Sequence, residues 1–138
     1  MIPCVLWLTT VGVLTFGQSE ASIWDGVYSE EQAVRGASGY QEVCASCHAE
    51  DLRGDNNSPS LIGVSFLFLW EERSLGDLFA KIQTEMPPAN PNSLPSGSYL
   101  DILAYLLQVN GFPGGEEKLR IEPGKHDRVL ITGKPRSQ

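Results

Sequence analysis

The run Cys44-Ala45-Ser46-Cys47-His48 places two thiols and an imidazole close together in the sequence. Thiols separated by two residues can each form a thioether with a vinyl group of one porphyrin, and the adjacent imidazole can then bind the iron. The same residue types also form redox-active disulfides and structural zinc sites. A structural disulfide is a further possibility in an exported protein. The run therefore indicates one of four kinds of site, and the residues around it discriminate among them.

The surroundings of this run favour haem attachment. A thioredoxin-like disulfide lies at a helix N-terminus after a strand, whereas here a helical pattern precedes Cys44. A zinc site needs a fourth ligand, and the only other histidine, His126, lies far along the chain in a polar segment. A disulfide between Cys44 and Cys47 would be strained by the two-residue spacing. We expect one covalent haem c, attached through Cys44 and Cys47, with His48 as an axial ligand of its iron.

Met86 is the candidate for the second axial ligand of the iron. It is the only methionine besides Met1, and it precedes a proline-rich segment at residues 87–91. A thioether is a soft ligand that favours ferrous iron and raises the reduction potential. A lone methionine more often fills a gap in a hydrophobic core, and His126 is a further candidate ligand. The position of Met86 in a stiff loop, away from a helical apolar face, favours ligation by Met86.

Composition and charge limit the classes of function. With 138 residues, 41% apolar and 20% charged, the chain has the size and composition of one globular domain. Its net charge of -7 argues against nucleic-acid binding, which needs clustered Lys and Arg. The acidic balance suits a partner with a basic docking face, or it only keeps the protein in solution. No catalytic nucleophile, acid–base pair or small-molecule substrate site is evident, so we expect a protein that is not an enzyme.

The first residues have the pattern of an export signal. A mostly apolar run covers residues 5–16, and Ser19-Glu20-Ala21 supplies small residues for a cleavage site. The sequence therefore predicts a signal peptide at residues 1–21 and one mature domain at residues 22–138. No Lys or Arg precedes the apolar run, so an uncleaved membrane anchor is the alternative.

The rest of the chain predicts an all-α domain with three principal helices and short turns. Ser29 and Gln32 form the pattern of a capping box that starts the first helix, and apolar residues at helical spacing continue it to Cys44. Residues 50–60 are rich in Gly, Asp, Asn, Ser and Pro, which predicts a loop. Because long loops are usually functional, this loop is expected to wrap the haem.

The second helix is expected to begin after Ser74, where Asp77 completes another capping box, and it must end before Pro87. Residues 66–70, which precede it, form an unbroken apolar run. Periodicity does not decide whether this short run is helical.

The third helix has Ser96 or Ser98 as its predicted cap and ends at Asn110-Gly111. The domain core is expected to cover about residues 26–112. The segment at 113–138 is rich in Gly, Pro and charge, which predicts a tail that lies over the domain, with room for a short strand.

Taken together, these features resemble the bacterial class I cytochromes c. The resemblance covers nearly the whole mature chain and is carried by three segments: Cys44 to His48, Pro59-Ser60-Leu61 with Gly63, and residues 84–88 ahead of the helix at 99–110. It implies the cytochrome c fold, all-α around one covalent haem c.

The resemblance also implies roles for residues outside the attachment run. In that family, a proline at the position of Pro59 offers its carbonyl to the axial imidazole. The first and last helices of the family cross with a small residue and an aromatic residue in contact. Gly36 and Tyr40 on the first helix and Tyr105 on the last match that pattern.

The function implied by the resemblance is that of a single-electron carrier between periplasmic redox proteins. Its partner is expected to be a dehydrogenase, an oxidase or another cytochrome, with membrane contact only if the leader stays uncleaved. The alternatives are a haem enzyme subunit and a gas-binding haem sensor, both of which require a labile Met86.

Overall fold

The structure is a computed structural model that describes residues 21–135. Apart from Ala21, the predicted signal peptide lies outside the described residues. The chain forms a 3-10 turn and five α-helices: Ile23–Asp25, then α1 (Glu30–Val43), α2 (Ala45–His48), α3 (Gly63–Trp70), α4 (Leu75–Glu85) and α5 (Ser96–Val109). Across 21–135 there is no strand, only two isolated β-bridges. The all-α prediction is therefore confirmed.

None of the helices in residues 21–135 is long and apolar enough to cross a bilayer.

Capping boxes start two of the three principal helices, as predicted. At α1, the Ser29 hydroxyl accepts the Gln32 N–H at 3.4 Å, and the Gln32 side-chain oxygen accepts the Ser29 N–H at 3.4 Å. At α4, the Asp77 N–H donates to the Ser74 hydroxyl at 3.0 Å, and the Ser74 N–H donates to the Asp77 carboxylate at 3.2 Å. These reciprocal bonds satisfy backbone donors that the first helical turn leaves free.

Helix α5 begins differently from the prediction. Its N-cap is Pro95, and both Ser96 and Ser98 lie inside the first turn, so the expected serine cap is wrong. The Pro95 carbonyl accepts from the N–H groups of Ser98 and Tyr99 at 2.9 and 3.3 Å. Because the helix already begins at Ser96, both serines have a helical backbone and neither can take the extended N-cap conformation. The helix ends at Asn110 as expected, followed by Gly111 with a φ of +82°.

The apolar run at residues 66–70 is helical, and its helix α3 begins earlier, at Gly63. Phe66 and Trp70, which are four residues apart, are buried on one face. Phe68 points away from that face and is 87% exposed. The run therefore has a buried face and an exposed face, although all five of its residues are apolar.

Helices α1 and α5 cross in direct backbone contact. A Cβ placed on Gly36 would lie 1.8 Å from the carbonyl oxygen of Asp101. Only glycine, which has no Cβ, fits at this position. The rings of Tyr40 and Tyr105 lie beside this contact, with centroids 5.6 Å apart and planes tilted by 52°. The crossing that the family resemblance implied is confirmed for all three residues.

The C-terminal segment, residues 113–135, packs on the helices without forming a strand. Its backbone pairs with the start of α4: Leu75 N–H donates to Val129 O at 2.8 Å, and Ile131 N–H donates to Arg73 O at 2.8 Å. The buried core therefore extends beyond residues 26–112 at both ends, since it also contains Ile23, Leu119, Val129 and Ile131.

Gln32 holds the C-terminal segment against α1. Its buried amide accepts the Leu119 N–H at 2.6 Å and donates to the Leu119 carbonyl at 3.3 Å. One side chain thus satisfies both backbone groups of a buried residue, which fixes the segment over the helix.

Candidate functional site

The attachment run lies where α1 ends and the short helix α2 begins. Cys44 is the C-cap residue of α1, and its N–H donates to Tyr40 O at 2.8 Å. The Cys44 carbonyl accepts the His48 N–H at 2.9 Å. Both thiols are free; Cys44 is half-buried and Cys47 is exposed. The helical turn therefore presents two unpaired thiols and an imidazole from one rigid segment.

The environment of Cys44 disfavours a thiol–disulfide exchange site. Burial, together with the neighbouring Cys47, raises the pKa of the Cys44 thiol to about 11. Exchange-active cysteines have a lowered pKa because the thiolate is the nucleophile. Within residues 21–135, no three His, Cys, Asp or Glu side chains are grouped so as to hold a metal ion.

His48 is oriented by the carbonyl of Pro59. The imidazole is buried, and its Nδ1 lies 2.9 Å from Pro59 O. A carbonyl only accepts hydrogen bonds, so Nδ1 carries the proton and the neutral ring has its lone pair on Nε2. Nε2 is the atom that an axial ligand needs, and the bond at Nδ1 makes it a stronger donor.

The loop at residues 50–60 folds back so that Pro59 reaches His48. The Gly54 N–H donates to His48 O at 2.9 Å. Gly54 has a φ of +69°, and a Cβ there would lie 2.2 Å from Ser58 O. The Asp55 carboxylate accepts the N–H groups of Asn57 and Ser58 at 2.7 and 2.9 Å, which lowers the pKa of Asp55.

Asn110 fastens the same region from the end of α5. Its amide donates to Leu61 O at 2.9 Å, and its side-chain oxygen accepts the Gly63 N–H at 2.8 Å. Sequence reasoning identified Asn110 only as a helix end. The segment that follows Pro59 is thus fixed to α5, which in turn limits the movement of the Pro59 carbonyl.

Met86 lies at the C-terminal end of α4 and is partly exposed. Its N–H donates to Ile82 O at 3.1 Å, so its backbone closes the last turn of the helix. Ile82 and Cys44 both pack against one small buried cluster, formed by Tyr40, Leu52 and Leu106. The structure therefore brings the attachment run and the helical turn before Met86 to the same cluster.

His126 lies at the other end of α4. The backbone carbonyl of the next residue, Asp127, accepts the Gly76 N–H at 3.1 Å. Gly76 is ten residues before Met86, which corresponds to about 15 Å along the helix. The Nδ1 atom of His126 accepts the Arg120 N–H at 3.2 Å. Burial, followed by the charge of Lys125, lowers the pKa of His126. This placement favours Met86 over His126 as the second axial ligand, opposite His48.

The donor set suits haem c: two free thiols at thioether spacing, an imidazole with its proton fixed on Nδ1, and a thioether at the end of α4. The family model described as "Cytochrome C oxidase, cbb3-type, subunit III" matches residues 31–106, more than half of the chain. The chain belongs to this family of c-type cytochrome domains. The cytochrome carries covalently bound haem c with its iron.

Other comparisons give more distant likeness. No curated protein matches the cytochrome significantly. Among solved structures, the sulfane dehydrogenase SoxCD from Paracoccus pantotrophus matches with a TM-score of 0.47 and 21% identity. The match covers 72% of the cytochrome and 60% of the SoxCD chain, so the cytochrome spans less than two thirds of that chain.

Proposed function

We propose that this cytochrome is a single-electron carrier, with Cys44 and Cys47 as the thioether attachments and His48 and Met86 as the axial ligands. The observation that carries the proposal is the 2.9 Å contact between His48 Nδ1 and Pro59 O. It fixes the tautomer and orientation of the imidazole, as a permanent iron ligand requires.

Haem c supplies a one-electron couple between ferric and ferrous iron. The chain's task is to keep the same ligands in both states, so that little reorganisation accompanies transfer. The His48 ring is held by Pro59, and the Met86 backbone is held by the last turn of α4. No bond forms or breaks in such a transfer.

The surface around Cys47 suits a partner with a basic docking face. We define the acidic surface as the exposed carboxylates of Glu42, Glu50, Asp51 and Asp55. Arg53 is the only Lys or Arg between residues 41 and 60. The excess of negative charge near an exposed attachment cysteine favours association with a positively charged redox protein.

We propose a periplasmic or otherwise exported location and a dehydrogenase, an oxidase or another cytochrome as partner. The family description refers to an oxidase subunit, which makes an oxidase one candidate. Amino-terminal sequencing of the mature protein tests export. A start at Ser22 is expected, and a start at Met1 would contradict cleavage of the leader.

Absorption spectra of the oxidised and reduced protein, with and without carbon monoxide, test the ligand set. We expect a low-spin haem, with a sulfur-to-iron band in the oxidised native protein. The reduced native protein should not bind carbon monoxide, whereas the Met86→Ala variant should lack the band and bind it. The control His126→Ala should leave both properties unchanged. Carbon monoxide binding by the native protein would favour the enzyme-subunit or gas-sensor alternative, and a protein without haem would overturn the proposal.

A further inference from the structure

Tyr99 connects the two ends of the loop that begins with Met86. We call residues 86–94 the Met86 loop. The Tyr99 hydroxyl donates to Met86 O at 2.9 Å and accepts the Leu94 N–H at 3.4 Å. The tyrosine is in the first turn of α5 and is 1% exposed. A single side chain anchored in the core therefore binds the first and last residues of this loop.

The Met86 loop has little else to hold it. Residues 88–93 are all exposed, and no helix or strand forms between α4 and α5. Besides the Met86 N–H, which donates to Ile82 O at 3.1 Å, two backbone bonds shape it: Asn90 N–H to Pro87 O at 2.9 Å, and Asn92 N–H to Gln83 O at 2.9 Å. Because few apolar contacts fix the loop, its polar contacts with the core decide where Met86 is held.

We propose that Tyr99 is a positioning residue that keeps Met86 on the iron. This inference rests on the proposed role of Met86 as an axial ligand. The hydroxyl holds the carbonyl of Met86 itself, so the methionine backbone cannot move away from α5 without breaking that bond. Tyr99 therefore determines how well Met86 competes with an external ligand for the iron.

The size of the effect follows from the strength of one part-buried hydrogen bond, between the Tyr99 hydroxyl and the Met86 carbonyl. An external ligand must open the Met86 loop before it binds, and opening exposes the Met86 carbonyl and the Tyr99 hydroxyl. Removing the hydroxyl lowers the free-energy cost of opening by the net contribution of that bond. A typical net contribution corresponds to about a five- to tenfold change in an equilibrium constant.

The test compares Tyr99→Phe with Tyr28→Phe in the purified holoprotein. Both changes keep the ring in the core and remove one hydroxyl from a residue that is 1% exposed. The Tyr28 hydroxyl donates to Phe112 O at 2.7 Å, outside the Met86 loop. Tyr28→Phe is therefore a matched control for the loss of a buried hydrogen bond to a backbone carbonyl.

The measurement is titration of the ferric protein with imidazole, followed by loss of the sulfur-to-iron band, beside urea unfolding of each variant. We expect Tyr99→Phe to bind imidazole about five- to tenfold more tightly than the native protein. Tyr28→Phe should keep the native imidazole affinity. Both variants should show a lower midpoint of unfolding, so stability alone would not separate them.

Two results would overturn the inference, and they have different meanings. If the native band is present and Tyr99→Phe binds imidazole with native affinity, Tyr99 has only a packing role and the ligand assignment survives. If the native protein lacks the band, and Met86→Ala leaves its imidazole affinity unchanged, Met86 is not a ligand and the proposed ligand set fails together with the role of Tyr99.

Discussion

Gly36 of α1 lies so close to α5 that a Cβ on it would stand 1.8 Å from the carbonyl oxygen of Asp101 and 2.9 Å from the Cβ of Tyr105. Two helices in such contact cannot admit a methyl group without separating. We expect Gly36→Ala to lower the free energy of unfolding by more than about 2 kcal/mol, measured by urea denaturation of the holoprotein.

Gly39, almost one turn further along α1, provides the control. A Cβ there would meet only side-chain atoms of Ile102, at 3.4 and 3.5 Å, which are ordinary contact distances. Since alanine is the better helix former by about 1 kcal/mol, Gly39→Ala should leave stability unchanged or raise it. Equal losses in the two variants would mean that the crossing is not the cause.

The parts of the fold that sequence predicted best are those set by local signals. The capping boxes at Ser29 and Ser74 need only residues three positions apart, so the starts of α1 and α4 can be recognised without tertiary information. The sequence mispredicts the start of α5 because Ser96 and Ser98 are more typical N-cap residues than Pro95. The type of the run at 66–70 could not be decided because an unbroken apolar run has no period.

The site was predictable where one segment contains it. Cys44, Cys47 and His48 are adjacent in sequence, and the role of Pro59 came from the family resemblance. The contacts of Tyr99 with Met86 and of Asn110 with Leu61 were missed. Both join a side chain to a distant backbone carbonyl, and every residue has such a carbonyl, so residue types carry no signal for the pairing.

Removal of the haem is expected to unfold the helices around the attachment run. Beside this run, Tyr40, Leu52 and Leu106 form only a small buried cluster, separate from the larger core that contains Ile23 and Leu119. A bound group that stabilises the native state shifts the folding equilibrium, and its loss reverses that shift. Circular dichroism of a Cys44→Ser, Cys47→Ser double variant without haem should therefore show less helix than the holoprotein. A haem-free chain with the helix content of the holoprotein would contradict this.

Alkaline pH should destabilise the fold through Tyr28. Burial, with a smaller effect from the charge of Glu30, raises the pKa of Tyr28 from 10.0 to about 12. Because the folded state holds this proton more tightly than the unfolded state, its contribution to stability is complete below pH 10. It is lost progressively as the pH rises to about 12.

Urea unfolding checks this prediction when the native protein and Tyr28→Phe are each measured at pH 9 and at pH 11.5. The first value lies below the pH range of the loss and the second lies within it. The decrease in the free energy of unfolding should be smaller in Tyr28→Phe, which has no proton to lose at this position. The same decrease in both proteins would show that other groups cause the alkaline loss.

The acidic surface around Cys47 should control electron exchange with charged reagents. We compare the double variant Glu42→Gln, Glu50→Gln with Glu117→Gln, Glu122→Gln, which removes the same charge from exposed positions in the C-terminal segment. A small cationic oxidant should react more slowly with the first variant than with the second, because the local field near the attachment site steers the encounter.

Salt dependence distinguishes a local field from net charge alone. The Debye length falls from about 30 Å at 0.01 M to about 8 Å at 0.15 M, so the rate with a cationic oxidant should fall as salt is added and the rate with an anionic oxidant should rise. The dependence of the rate on salt concentration, measured with the cationic oxidant, should weaken most when Glu42 and Glu50 are neutralised. Equal weakening in both double variants would show that net charge, not the acidic surface, governs the encounter, and a rate independent of salt would remove the charge argument for a basic partner.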